Sequence, residues 1–277
     1  MSRQSFSSTP GSATTLPQLA DGLNANFTEI YGLAAGAIRG CRLSYDAAGT
    51  IGATSGALDI NGTLYTNSAA VTLALSGLTA DQWRYAYAKA DGAGWALELS
   101  STVPVWDATL GYQKKTGDAT RRYLGPILAA TATTMFRFDM VGERNQRYVR
   151  MIDDIYAGPS AGGGGPLGVL NGINSTFPTM TAVDASSGVP VGCDGFDLSW
   201  YVQDNLFNLT ACNIRVSGSA SANADQAEIQ ESPDVISNVS MTVRTSEQTF
   251  YWAGWATGFV DGDLNANAGV FGLHITI

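Results

Sequence analysis

The residues best suited to chemistry are few, and His274 comes first because the chain of 277 residues holds one histidine. A Ser-His-Asp relay, a Cys-His pair or a metal site built on several imidazoles would each depend on this one ring. Leu273 and Ile275 flank it in an alternating segment, and no catalytic motif surrounds it. The reading adopted is a hydrogen-bonded strand histidine with no catalytic role. Asp153-Asp154 and Asp261-Gly-Asp263 could serve glycoside hydrolysis, which needs two acidic groups held across a scissile bond. Adjacent aspartates on a strand point to opposite faces, so Asp153 and Asp154 do not converge. Asp261, Asp263, Asn265 and Asn267 place oxygen-bearing side chains at alternate positions, which could wrap a calcium ion if the segment curled. Gly272 stands where an EF-hand would carry its glutamate, so an Asx-rich turn is expected and no metal is called for.

Tyr251, Trp252 and Trp255 concentrate aromatic surface near the C-terminal end. Trp252 and Trp255 are an odd number of residues apart, so on a regular strand one fills the core and the other is exposed. An exposed indole beside acidic and amide groups stacks on the apolar face of a pyranose, which makes these three the candidate receptor-binding residues, with core packing the leading reading of the pair. Lys114, Lys115, Arg121, Arg122, Arg137, Arg144, Arg147 and Arg150 form a locally basic stretch. It is read as a solvated face or a contact with acidic subunits rather than a nucleic-acid site. Cys41, Cys193 and Cys212 are odd in number and lack C-x-x-C spacing, so reduced, core-filling thiols are expected. No phosphate-binding glycine motif opens a helix, and no cofactor is implied.

These groups must be positioned by strands. Charged residues make up 14% of the chain and Gly numbers 32, a balance that suits short strands joined by many turns. The net charge of -9 is uneven, since residues 165–277 hold 11 acidic and 2 basic side chains, which disfavours nucleic acid or anionic lipid as a partner of that part. There is no apolar signal core and no apolar run approaching a membrane span, so folding in a cytoplasm without membrane insertion is expected.

Thr15-Leu16-Pro17-Gln18 reads as a capping box, and Leu16, Leu19, Leu23, Phe27, Ile30 and Ala34 follow at helical spacing. This predicts one short amphipathic helix, marginal alone, that needs a bundle or docking surface for its stripe. From Cys41 the period becomes two. Asn61-Gly62, Asp91-Gly-Ala-Gly94 and Thr116-Gly-Asp118 predict three hairpins, with Met135–Val141 and Gln146–Ile152 completing a meander. The glycine-rich run 157–168 reads as a linker. Six further strands follow it, and the last, Phe271–Ile277, is expected to be central to a sandwich or at a subunit interface. The expected fold is thus all-β with a short N-terminal helix: an arm and helix over 1–40, a β spacer over 41–156, a linker over 157–168 and a β-sandwich over 169–277.

Leu23-Asn-Ala-Asn-Phe-Thr-Glu-Ile-Tyr31 resembles the opening segment of many phage tail-fibre and appendage proteins. Ala57–Thr66, Tyr85-Ala-Tyr-Ala88, Trp95–Ser100 and Thr116-Gly-Asp-Ala-Thr-Arg-Arg-Tyr-Leu-Gly125 resemble a β-domain of phage tail and virion structural proteins. The resemblance covers residues 15 to 152. It implies a non-enzymatic, virion-bound homotrimer, assembled in the host cytoplasm, whose helix docks on other tail, baseplate or capsid proteins. A jelly-roll-like C-terminal tip would contact a host surface glycan. The rival readings are a capsid spike, decoration or collar protein without a receptor role, and a polysaccharide depolymerase.

Overall fold

The computed structural model describes residues 36–142, 145–152, 170–171, 181–186, 188–204, 209–218, 225–229, 237–258 and 264–277. Among them every regular element is a strand and every pairing is antiparallel. The docking helix expected over Leu16, Leu19, Leu23, Phe27 and Ile30, the Asp153-Asp154 pair and the 157–168 run lie outside the described residues.

Strands β1 (Ile38–Gly40), β2 (Leu43–Ala47), β3 (Thr50–Ala53), β4 (Gly56–Ile60), β5 (Thr63–Asn67) and β6 (Val71–Ala74) make two small sheets, ordered β1-β4-β5 and β2-β3-β6. The Asn61-Gly62 turn is as the sequence predicts: Ile60 pairs with Thr63, and φ is 52° at Asn61 and 81° at Gly62, the signature of a type I′ hairpin. Strands β7 (Trp83–Asp91), β8 (Gly94–Ser100), β9 (Pro104–Asp107), β10 (Tyr112–Lys115) and β11 (Asp118–Leu128) form the next sheet, ordered β8-β7-β11-β10-β9. The other two expected hairpins close there as two-residue loops, with Asp91 opposite Gly94 and Lys115 opposite Asp118.

The expected meander is not formed, because β7 and β11 pair across the strands between them and β12 (Phe138–Val141) and β13 (Gln146–Met151) leave for another sheet. Their inward residues Phe138, Met140, Val149 and Met151 find apolar cover there rather than beside β11. The remaining strands are β14 (Leu170–Asn171), β15 (Thr181–Asp184), β16 (Cys193–Asp204), β17 (Leu209–Ser217), β18 (Asp225–Ile229), β19 (Ser237–Arg244), β20 (Thr249–Gly258) and β21 (Leu264–Thr276). They complete two sheets, β12-β13-β21-β16-β19 with β14 also on β21, and β15-β20-β17-β18. Phe196 of β16 meets Phe250 of β20 edge-on at 6.0 Å, joining these two sheets face to face.

The final strand is central to its sheet, one of the two placements expected for it: β13 and β14 line one edge of β21 and β16 the other. Strands from both sides of the 157–168 run therefore share one sheet. Side chains add to this join. Gln113 Nε2 donates to the carbonyls of Gly192 (3.0 Å) and Thr276 (2.6 Å), and the Val191 amide donates to Tyr85 Oη (3.3 Å). Gly125, at a bulge in β11 with φ of 151°, lies under Met140, Leu43 and Ile275, where a Cβ would fall 2.6 Å from Met140 Cε. Only glycine fits that backbone and that contact.

Candidate functional site

Alternation sets the outward face of the β12-β13-β21-β16-β19 sheet. Val149, Leu273, Ile275, Phe196, Leu198, Met241 and Val243 are buried, so Tyr148, His274, Asp197 and Thr242 point the other way. Register places Tyr148, His274, Gly195 and Arg244 in one row across the strands, and Arg150, Gly272, Asp197 and Thr242 in the next. Asp139 of β12 extends the second row beyond Arg150.

Asp197 is the hub. Its Oδ1 lies 3.1 Å from His274 Nε2 and accepts from Thr242 Oγ1 at 2.7 Å, and the Tyr148 hydroxyl also reaches this carboxylate. Burial alone would raise the Asp197 carboxyl, but the hydrogen bonds from Thr242, His274 and Tyr148 outweigh it and hold the group below its ordinary value. Burial, with the bond to Asp197, pushes the Tyr148 phenol up to about 12, so it stays a donor. Tyr148 reaches Asp197 from two strands away because the strand between offers Gly272: a Cβ there would stand 2.1 Å from Tyr148 Oη. The Tyr148 and His274 rings meet tilted at 5.0 Å. The His274 side chain is 38% exposed and that of Asp197 14%, so the ring is presented to solvent over a recessed carboxylate.

An aromatic edge, a carboxylate acceptor and an imidazole side by side can hold sugar hydroxyls and a pyranose face. The spacing suits hydrolysis less well. Asp139 and Asp197 share a row but lie three strand separations apart, about 14 Å, wider than the roughly 5–9.5 Å of either glycosidase geometry.

His274 is thus the hydrogen-bonded strand residue that the sequence predicts, while Tyr148, Asp197 and Thr242 gave no sequence signal, being brought to it only by long-range pairing. Tyr251 is half-buried on β20, in a different sheet. Trp252 pairs with Thr181 and Val216, and Trp255 with Asn213, but their side chains lie outside the described residues. Asn265 and Asn267 sit in extended β21 opposite Gln203 and Tyr201. Asp261 and Asp263 lie outside the described residues, among which no cluster of three His, Cys, Asp or Glu could hold a metal.

Lys114, Lys115, Arg121, Arg122 and Arg147 of the basic stretch are spent on the fold. Lys114 pairs with Asp107 at 2.7 Å, and Lys115 and Arg121 share Glu98 at 2.8 and 2.6 Å. Arg121 and Arg122 face opposite ways as expected, but Arg122 is wholly buried rather than part of a solvated face. Its Nη1 donates to the carbonyls of Ala37 (2.8 Å) and Asp59 (3.1 Å), and its Nη2 to that of Gly36 (2.8 Å) and to Asn145 Oδ1 (3.4 Å). The Tyr112 ring lies 4.3 Å below the guanidinium. Arg147 is buried as well, donating to Gly142 O at 2.5 Å and to Gly40 O at 2.7 Å. Two arginines thus tie down Gly36–Gly40, where residues 1–35 join the sheets.

Cys41 and Cys193 are buried free thiols, as expected. Burial pushes Cys41 up to about 12 and Cys193 higher still, so neither is a nucleophile at neutral pH. Among the described residues no helix is long and apolar enough to cross a membrane. A scan against protein-family models and a search of curated proteins both return no match to the chain.

Proposed function

We propose that the chain is a structural subunit of a tailed-bacteriophage appendage, a tail fibre or similar projection, that attaches the virion to the host cell surface by recognition rather than turnover. The observation that carries the recognition half is the outward sheet face on which Asp197, His274 and Tyr148 form a recessed, hydrogen-bonded acceptor beside an exposed ring. Its carboxylate is committed to three neighbours, which suits a binding surface.

Support for the virion half is the resemblance over residues 15 to 152, whose most specific stretch, Thr116–Gly125, is the β10–β11 hairpin. Arg121 and Arg122 of that stretch serve the Glu98 ion pair and the anchorage of Gly36 and Ala37 to the sheets. In this reading residues 1–40 form an arm and helix that dock on tail or baseplate proteins. Three copies assemble around that helix, and the β12-β13-β21-β16-β19 and β15-β20-β17-β18 sheets together form a jelly-roll-like tip. Trimerisation converts weak single contacts into strong attachment.

The test uses labelled full-length protein, since removing residues 166–277 would strip β21 from β13. Labelled protein should adsorb to host cells and compete with virions for them, and should leave the chain length of host polysaccharide unchanged. Absence of competition would favour a capsid, collar or decoration protein; shortened polysaccharide would establish a depolymerase.

A further inference from the structure

Residues 165–277 carry 11 acidic and 2 basic side chains, and one of the two, Arg244, stands on the outward face just described. Arg150 stands on the same face, at the opposite corner of the two rows. Both are exposed, and no described acidic residue pairs with either within ion-pair distance. Asp139 stands opposite Arg150 across β12 and β13 without closing an ion pair. This contrasts with Lys114, Lys115 and Arg121, whose charges are met by Asp107 and Glu98.

Between the two arginines lie β21 and β16 and one step from row to row, so their backbones are about 16 Å apart by strand spacing and rise. Between them the Tyr148 side chain fills the space over Gly272, and Asp197 is recessed under Thr242, His274 and Tyr148. The result is a polar strip of sheet face with a cation at each end and the Tyr148–His274 ring pair and the Asp197 acceptor between them.

We infer that this strip binds a carboxylated oligosaccharide, with Arg150 and Arg244 each taking an acidic group and Tyr148, His274 and Asp197 taking ring faces and hydroxyls. Guanidinium groups match carboxylates as two-pronged donors, which favours this class over neutral sugars. A rigid sheet presents the two at fixed separation, so the strip selects for spacing between acidic groups as well as for charge. The inference rests on the attachment reading and names the ligand class for the same face.

The test is calorimetric titration of the full-length protein with tetragalacturonate, a hyaluronan tetrasaccharide and a sialic acid dimer, each against its carboxyl-reduced counterpart. At least one acidic probe should bind tenfold or more tightly than its reduced form. The R150Q and R244Q substitutions should each weaken it several-fold, and together remove the preference, with near-UV circular dichroism and melting unchanged because both residues are exposed. Failure of all three acidic probes to bind at millimolar concentration, or an intact preference in the double variant, would overturn the inference. Host-cell adsorption separates the two levels: a double variant that adsorbs like wild type sinks the site and leaves attachment standing. A wild type that binds an acidic probe but no host cell sinks attachment and leaves the site.

Discussion

Replacing Arg122 by methionine keeps the bulk of the side chain and deletes its charge and all its donors. Three short hydrogen bonds to carbonyls are lost, those to Gly36, Ala37 and Asp59. At roughly 1.5–3 kcal/mol for each bond from a charged group, these amount to ~5–9 kcal/mol. Against this stands the cost of keeping the guanidinium dry: burial pulls it from 12.5 to about 10, which corresponds to ~3 kcal/mol against the charged form. The net expectation for R122M is a loss of ~2–6 kcal/mol, or a fall in Tm of ~4–24 °C at about 2–4 °C per kcal/mol. Arg121 supplies the control on the adjacent residue: its pair with Glu98 is partly exposed, so R121M should cost no more than ~1 kcal/mol. Urea unfolding followed by tryptophan fluorescence reads both, since Trp95 is 2% exposed and its indole N–H donates to Gly56 O at 3.4 Å, on the strand whose Asp59 carbonyl Arg122 holds. Equal stabilities of R122M and R121M would refute the claim that this buried cation fastens Gly36–Ala37 to the body.

Three further outcomes follow from the same geometry. Gly125→Ala should lower stability by ~1–3 kcal/mol, since its Cβ meets Met140 Cε at 2.6 Å and Leu43 Cδ1 at 3.0 Å; Met140→Ala should then cost less in that background than in the wild type, and additive costs in thermal melts would locate the strain elsewhere. Cys41 and Cys193 should resist iodoacetamide in the native protein at pH 8 and label fully in guanidinium, read by peptide mass mapping; native labelling of either would contradict its burial. Asp197 is held below the ordinary carboxylate value of about 3.9, so its contribution is present above that pH and is lost as pH falls through its folded value. The gap in Tm between wild type and D197N should therefore be widest near pH 7 and close towards acid, whereas a gap independent of pH would show that the three donors do not favour the ionised form.

What the sequence made legible was local. Asn61-Gly62 and Thr116-Gly117 announce their turns because the required φ is a property of two residues. Phe271–Ile277 read as a strand either central to a sandwich or at a subunit interface, and β21 is paired on both edges. Adjacency of Arg121 and Arg122 implied that one points inward, but not which, since that depends on Ala37, Asp59 and Asn145 arriving from distant segments. The pairing of β13 with β21 spans the glycine-rich run, and no local pattern encodes it. His274 stood out by being alone, whereas Tyr148 and Asp197 are unremarkable until β13, β21 and β16 lie side by side. Gly272 is the subtlest case: a lone strand glycine whose missing Cβ is occupied by the Tyr148 hydroxyl.

The most direct test of the attachment reading is to locate the protein on virions by gold-labelled antibody raised against the full chain and viewed by electron microscopy. The account expects label at the tail end, on projections that meet the host surface. Label confined to the capsid or collar, or virions bearing none, would contradict it.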